Sequence, residues 1–398
     1  MSAHKFSSDA EIIAFVLEHT HLQGNPDSFV VSEIGDGNIN FVYRVNAADG
    51  QSVIVKQALP YVRIIGEGWP LSLDRIRIEA EALSLEGQYA PDYVPELYHF
   101  DSARAALVMQ DIGDHENLRH ALIAQKPLPE LGRHLGLFLA NTLFYTSDLA
   151  LDAHDRKTML GRFINPDLCK ITEDLFFLDP YCDHERNNYN PLLADDVRAL
   201  WQDEALKAEV AELKYRFLNH AEALVHGDLH AGSVFVRSDS TQIIDPEFAY
   251  FGPIGFDVGS IIGNLLLNHC AQNGLAYDSA TREEYQQALR SNLSDLWQTF
   301  AEAFSALMTE KTVDQTLQSP LWQQQRLAQI LADSLGYAGT ELIRRTIGLA
   351  GVADLNEIAD ENVRAASERQ ALQLGVQLIK SRNQLTSIGA VLALLNAS

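Results

Sequence analysis

Apolar and polar positions divide the chain into two unlike parts. Ser8 followed by Glu11 has the form of a helix capping box, and Ile12, Ile13, Val16 and Leu17 then supply a helical apolar stripe. From residue 29 to about residue 101 the rhythm changes to short β-rich runs, over 29–34, 40–46, 52–57, 93–100 and 105–110. One helix interrupts them, opening at Ser72 or Asp74 and continuing through Leu85. Beyond Gly113, apolar residues recur at helical spacing over 131–146, 191–218, 261–267, 283–308, 321–348 and 362–385. Two strand-like runs, 233–237 and 241–245, break this region beside the densest polar motif of the chain. The pattern predicts a small sheet lobe over 1–112, a connector near 110–113, and a large helical lobe over 113–398. Clefts between such lobes are where small ligands bind.

Composition narrows the function. With 398 residues, 46% hydrophobic and 21% charged, the chain is globular and longer than a single core usually grows. Lys plus Arg is 30 and Asp plus Glu is 54, a net charge of −24. Such a chain repels nucleic-acid backbones and anionic membranes, so neither is an expected partner. A single anionic small molecule stays possible, because a few local cations can hold it. Cys169, Cys182 and Cys270 are far apart and odd in number, which fits a reducing cytoplasm and no disulfide framework. The N-terminus lacks an apolar h-region, and the richest apolar runs, 261–267 and 388–395, are too short to span a bilayer. A cytoplasmic, soluble protein is expected.

The chemistry concentrates in Val225-His226-Gly227-Asp228-Leu229-His230-Ala231-Gly232-Ser233 and in Ile243-Ile244-Asp245-Pro246-Glu247. Pairing of the two strand-like runs as a hairpin would bring Asp228, Ser233, Asp245 and Glu247 to one rim. Pro246 fixes φ between the last two acids. Clustered hard oxygens suit Mg²⁺, which takes one or two carboxylates plus substrate phosphates. The His226-x-Asp228-x-His230 spacing lacks the usual fourth ligand of a zinc site. Both histidines are expected to be structural, bonding backbone carbonyls in a tight loop.

These motifs, with the run Asp245-Pro246-Glu247-Phe248-Ala249-Tyr250-Phe251-Gly252-Pro253-Ile254-Gly255-Phe256-Asp257, resemble the aminoglycoside phosphotransferase and choline kinase branch of the protein-kinase-like fold. Ser233 and the Asp245-Pro246-Glu247 triplet resemble the methylthioribose kinase family within it; general members carry Asn at the first position and a plain Asp at the second. The likeness extends from the first strands beyond Arg345. It implies an α+β, protein-kinase-like two-lobe fold, with a small five-stranded antiparallel sheet lobe, one helix, and a large mainly helical lobe. It also implies ATP, Mg²⁺, a small-molecule sugar substrate (methylthioribose), a place in methionine salvage and a possible homodimer.

Carried over residue by residue, the likeness makes Asp228 the catalytic base and Asp245 and Glu247 the metal ligands, with Pro246 between them. The turn 33–43 would cover the nucleotide, with Asn40 among its contacts; its glycines suit a close approach to phosphate, although any hairpin favours glycine. Lys56 would meet the α and β phosphates and pair with a helix acid. Glu79 is the best partner, because Glu81 points about 200° round the helix from it. Gln110, Asp111 and Ile112 match the hinge whose backbone meets adenine; relatives tend to carry Glu where this chain has Gln110. Trp69, in Gly66-Glu67-Gly68-Trp69-Pro70, would close over the sugar, or else pack on the helix start. Arg344 would be a substrate ligand and Arg345 its neighbour, although adjacent helix residues diverge by about 100° and need not share a target. The expected reaction is phosphorylation of the sugar 1-hydroxyl. The alternatives are a related small-molecule kinase acting on an aminoglycoside, choline or homoserine, and a non-catalytic nucleotide-binding module. The Arg344-Arg345 pair argues against a cationic acceptor such as choline.

Overall fold

The computed structural model describes residues 5–34, 40–62 and 66–395. The chain opens with α1 (Asp9–His19), then β1 (Val30–Glu33), β2 (Phe41–Asn46) and β3 (Ser52–Gln57). A short hairpin, β4 (Tyr61–Val62) and β5 (Gly66–Pro70), precedes α2 (Asp74–Tyr89), β6 (Leu97–Asp101) and β7 (Ala106–Gln110). Strands β1, β2, β3, β7 and β6 form, in that order, one five-stranded sheet whose pairings are all antiparallel. Ser8 caps α1, accepting from the Glu11 N–H at 3.4 Å, while the Glu11 carboxylate accepts from the Ser7 N–H at 2.8 Å.

Period-two alternation explains how the sheet is used. Val53 and Val55, with Val45, Ala106 and Val108, pack against Ile12, Phe15 and Val16 of α1. Ile54, Leu107 and Met109 point the other way, into a core shared with Ile76 and Leu83 of α2 and with the large lobe. Lys56 follows Ile54 by two residues, so the same alternation turns it toward α2.

The large lobe begins with β8 (Glu116–Asn117), α3 (Leu118–Ile123), α4 (Leu131–Tyr145), α5 (Ala153–Arg162) and α6 (Pro166–Phe177). It continues with α7 (Ala194–Gln202), α8 (Glu204–Asn219), β9 (Ala223–Val225), β10 (Val234–Arg237), β11 (Ser240–Ile243) and β12 (Tyr250–Gly252). It closes with α9 (Gly255–Leu275), α10 (Ser279–Lys311), α11 (Pro320–Ile347), α12 (Ala353–Asn356), α13 (Glu361–Ser381) and α14 (Ile388–Leu395). α9 is buried along most of its length and crosses α11, where a Cβ on Gly259 would sit 2.4 Å from the Ser334 carbonyl oxygen.

Two expectations change. The helix expected over 191–218 is two helices, because Asp203 leaves helical geometry and its side chain caps α8 at the Leu206 N–H. The helix expected over 261–267 is the middle of a 21-residue helix. Among the described residues the three cysteines are free, and no helix is long and apolar enough to cross a membrane.

Candidate active site

Strands β10 and β11 pair antiparallel, Val234 opposite Ile243, so the loop before β10 and the segment after β11 lie side by side. The Asp228 loop is held from below. Gly227 has φ +83°, and a Cβ there would meet the Phe248 carbonyl oxygen at 2.3 Å. The Asp257 carboxylate accepts from the His226 and Gly227 N–H groups at 2.6 and 3.0 Å. Burial raises the Asp257 pKa to about 7 against those two bonds. Ser233 Oγ donates to the Asp228 carbonyl at 2.9 Å and closes the loop.

The two histidines do different work, which corrects the expectation that both bond backbone carbonyls. His226 accepts from the Asp228 N–H at Nδ1, and its Nε2 meets the Ile244 carbonyl at 2.9 Å. It is buried and neutral, with its pKa lowered to about 4 by that burial. His230 accepts from the Gly232 N–H at Nδ1, 2.8 Å, which leaves Nε2–H as the donor. That nitrogen lies 3.3 Å from Asp228 Oδ2, so His230 orients a carboxylate and not a carbonyl.

Asp228 therefore has a structured environment. Arg344 Nη2 is 3.6 Å from its Oδ1. Burial alone would raise the Asp228 pKa; His230, Arg344 and Arg345 overcome it and hold the group well below the usual carboxylate range. Asp228 is an anion at any neutral pH.

Arg344 and Arg345 do share a target, although they are adjacent on α11. Arg344 Nε pairs with Glu341 Oε2, and Arg345 Nε with Glu341 Oε1 at 2.8 Å, so one carboxylate spans the diverging pair from one turn back. The Arg344 guanidinium also stacks 3.7 Å above the Phe176 ring centroid. Arg345 further donates to the Ala350 carbonyl at 3.3 Å. Glu341 was not singled out in the sequence; its i−3 and i−4 spacing to the two arginines was the available signal.

At the other end, Lys56 Nζ donates to Glu79 Oε1 at 2.8 Å and pairs with Asp245. Lys56 and Glu79 are both buried, and burial raises the Glu79 pKa even beside Lys56. Glu81 instead faces outward to Arg77 and Arg162. Asp245 takes left-handed backbone, φ 75° and ψ 41°, immediately before Pro246, which disfavours the right-handed helical region for it. Its side chain is 45% exposed, an oxygen donor already in contact with a cationic nitrogen. Its chemistry fits Mg²⁺. Glu247 is buried: its Oε2 accepts from Asn40 Nδ2 at 2.8 Å and lies 3.6 Å from Arg75 Nε. Arg75, fully buried, is a second residue that the sequence reading missed.

Gln110 pairs with Val53 at the end of β7, and its backbone N–H donates to the Glu96 carbonyl at 2.8 Å. The Asp111 carboxylate is taken by Arg44, at 2.7 and 3.1 Å, and by Ser52 at 2.6 Å. The Ile112 carbonyl accepts from the His115 N–H. Residues 35–39 and the side chain of Trp69 lie outside the described residues. The site's charges are paired among themselves, Lys56 with Asp245 and Arg344 with Asp228. A polar cavity of about 380 Å³ opens beside Arg345, lined by Asn188, Asn356, Arg364 and Glu368 among others, and does not include Asp228.

A small lobe whose lysine is held by a helix acid, above a loop aspartate and a second acid after a hairpin, defines a two-lobe, kinase-type phosphotransferase. The model of the phosphotransferase enzyme family matches residues 30–302. A methylthioribose kinase from Yersinia enterocolitica is 48% identical over 394 residues, 99% of this chain and 98% of that one. Another from Cronobacter sakazakii is 47% identical over 381 residues, 95% of each. A choline kinase structure from Cryptosporidium parvum aligns over 94% of this chain and 99% of that one, at 13% identity and a TM-score of 0.49. The chain belongs to the phosphotransferase enzyme family and, within it, to the methylthioribose kinases.

Proposed function

We propose that this kinase transfers the γ-phosphoryl group of ATP to the 1-hydroxyl of S-methyl-5-thioribose, giving the 1-phosphate and ADP. The observation that carries the reading is the meeting of Asp228 with Arg344, a fixed anion beside a fixed cation; the choice of sugar rests on the near full-length likeness to methylthioribose kinases. Phosphoryl transfer passes through a loose transition state, so positioning and charge neutralisation do most of the work. Asp228, oriented by His230, accepts a hydrogen bond from the acceptor hydroxyl and takes its proton late, as suits so weak a base. Lys56 meets the α and β phosphates, and Arg344, with Arg345 behind it, neutralises charge at the sugar end. Asp245 and Glu247 would hold Mg²⁺, which supplies charge shielding on the phosphates. Asn40, held between Arg75 and Glu247, lines the nucleotide end of the site. Because Arg44 and Ser52 occupy the Asp111 carboxylate, residues 110–112 offer adenine their backbone. The reading includes lobes meeting at residue 112, a cytoplasmic homodimer and a role in methionine salvage. A coupled ADP assay with Mg²⁺ tests it. Turnover with methylthioribose and little with ribose, choline, homoserine or an aminoglycoside is expected; turnover with one of those instead would overturn the substrate.

A further inference from the structure

We propose that Arg75 is a positioning residue for the metal–nucleotide end of this site, acting through Glu247 and Asn40; the inference rests on the kinase reading above. Arg75 and Glu79 are four residues apart and share one face of α2. Glu79 reaches Asp245 through Lys56, and Arg75 reaches Glu247 two residues further on. One helix face therefore grips both acids of the 245–247 segment.

The guanidinium fits this place as a fork. Nη1 donates to the Ser72 carbonyl at 2.8 Å, and Nη2 donates to the Leu59 carbonyl and to Asn40 Oδ1, each at 2.8 Å. Because Asn40 Oδ1 accepts from Arg75, the Asn40 amide end is turned to Glu247, at 2.8 Å. A lysine has the charge but not the planar fork, and cannot hold all of these partners.

Charge counting gives the same answer. Glu79, Asp245 and Glu247 are three acids facing two cations, Lys56 and Arg75, which leaves one net negative charge at the rim. Without Arg75 two are left, and Glu247 loses the cation beside it and the fork that turns the Asn40 amide toward it. That change alters the hold on a divalent cation and its nucleotide while leaving the Asp228–Arg344 end intact.

Titration calorimetry of the full chain with ADP, in Mg²⁺ and again in EDTA, reads this without any acceptor sugar. Arg75→Gln is expected to weaken Mg·ADP binding roughly tenfold or more, the usual cost of losing a residue that orients a metal ligand, with metal-free ADP changed less than about twofold. Arg75→Lys should recover part of the loss, and its retained charge carries the test if Arg75→Gln melts early. Equal weakening with and without Mg²⁺, or wild-type affinity in both variants, overturns the proposal. Turnover of another acceptor overturns only the substrate reading; a wild-type chain that binds no Mg·ADP overturns both.

Discussion

Arg344 Nη2 stands 3.6 Å from Asp228 Oδ1, with the ring of Phe176 beneath the guanidinium and Glu341 behind it. The cation is held in place by these partners, so in the proposed transfer it would neutralise developing charge without reorganising. Asp228→Asn keeps the size of the side chain but removes the negative charge and the base proposed to take the hydroxyl proton. Its kcat should fall by roughly 10²–10⁴, the usual share of a positioned base, with the protein still folded by circular dichroism. Near-normal kcat in a folded Asp228→Asn protein would remove Asp228 from the mechanism.

His230 tests how far that orientation matters. Its Nε2–H is directed to Asp228 because the Gly232 N–H occupies Nδ1. A hydrogen bond to a charged group is worth about 1.5–3 kcal/mol, so His230→Ala should lower kcat by roughly tenfold to a hundredfold. KM for ATP should stay within about twofold, since His230 contacts Gly232 and Asp228 while Lys56 contacts Glu79 and Asp245, and His230→Gln should restore part of kcat. A loss confined to KM for ATP would show that His230 serves the nucleotide instead.

The sheet was legible because its runs are short and rich in β-branched and aromatic residues; the run over 52–57 coincides with a strand buried on both faces, and Lys56 shares the inward phase of Ile54. The chemical loop was legible because Asp228, Ser233 and Asp245 are close in sequence and joined by a hairpin. Strands β9 and β12 have three residues each, too few to show a period, and their pairing spans the whole loop. Arg75 sits in the first turn of α2, next to Asp74 and Arg77, where an arginine reads as solvated. Only tertiary packing against Glu247 and the Leu59 carbonyl reveals it as buried. Likewise the break at Asp203 is a single capping residue inside a continuous helical stripe, which periodicity alone passes over.

Gly227 is the backbone test of the loop. Its φ of +83° is one that L side chains rarely adopt, and the Phe248 carbonyl leaves no room for a methyl group. Gly227→Ala should cost about 2 kcal/mol or more in urea unfolding, and kcat should fall because Phe248 follows Glu247 directly. Unchanged stability and activity would mean that the close approach between loop and segment is not required.

Glu341 gives the last prediction a sign. Burial would raise its pKa, but Arg344 and Arg345 hold it at about 2, below the ordinary 4.5. A depressed acid stabilises the fold above its unfolded pKa and loses that contribution as pH falls through the folded one. Glu341→Gln leaves two buried guanidinium groups without their shared anion, and breaking a buried pair this way costs about 3–5 kcal/mol. The gap between wild type and Glu341→Gln in urea unfolding should thus be constant from pH 7 to 5, shrink below 4.5, and be mostly gone near 2. Activity should fall at every pH, because Arg344 loses the partner that aims it at Asp228. A stability gap that widens on acidification would show that Glu341 is not the anion that holds the arginine pair.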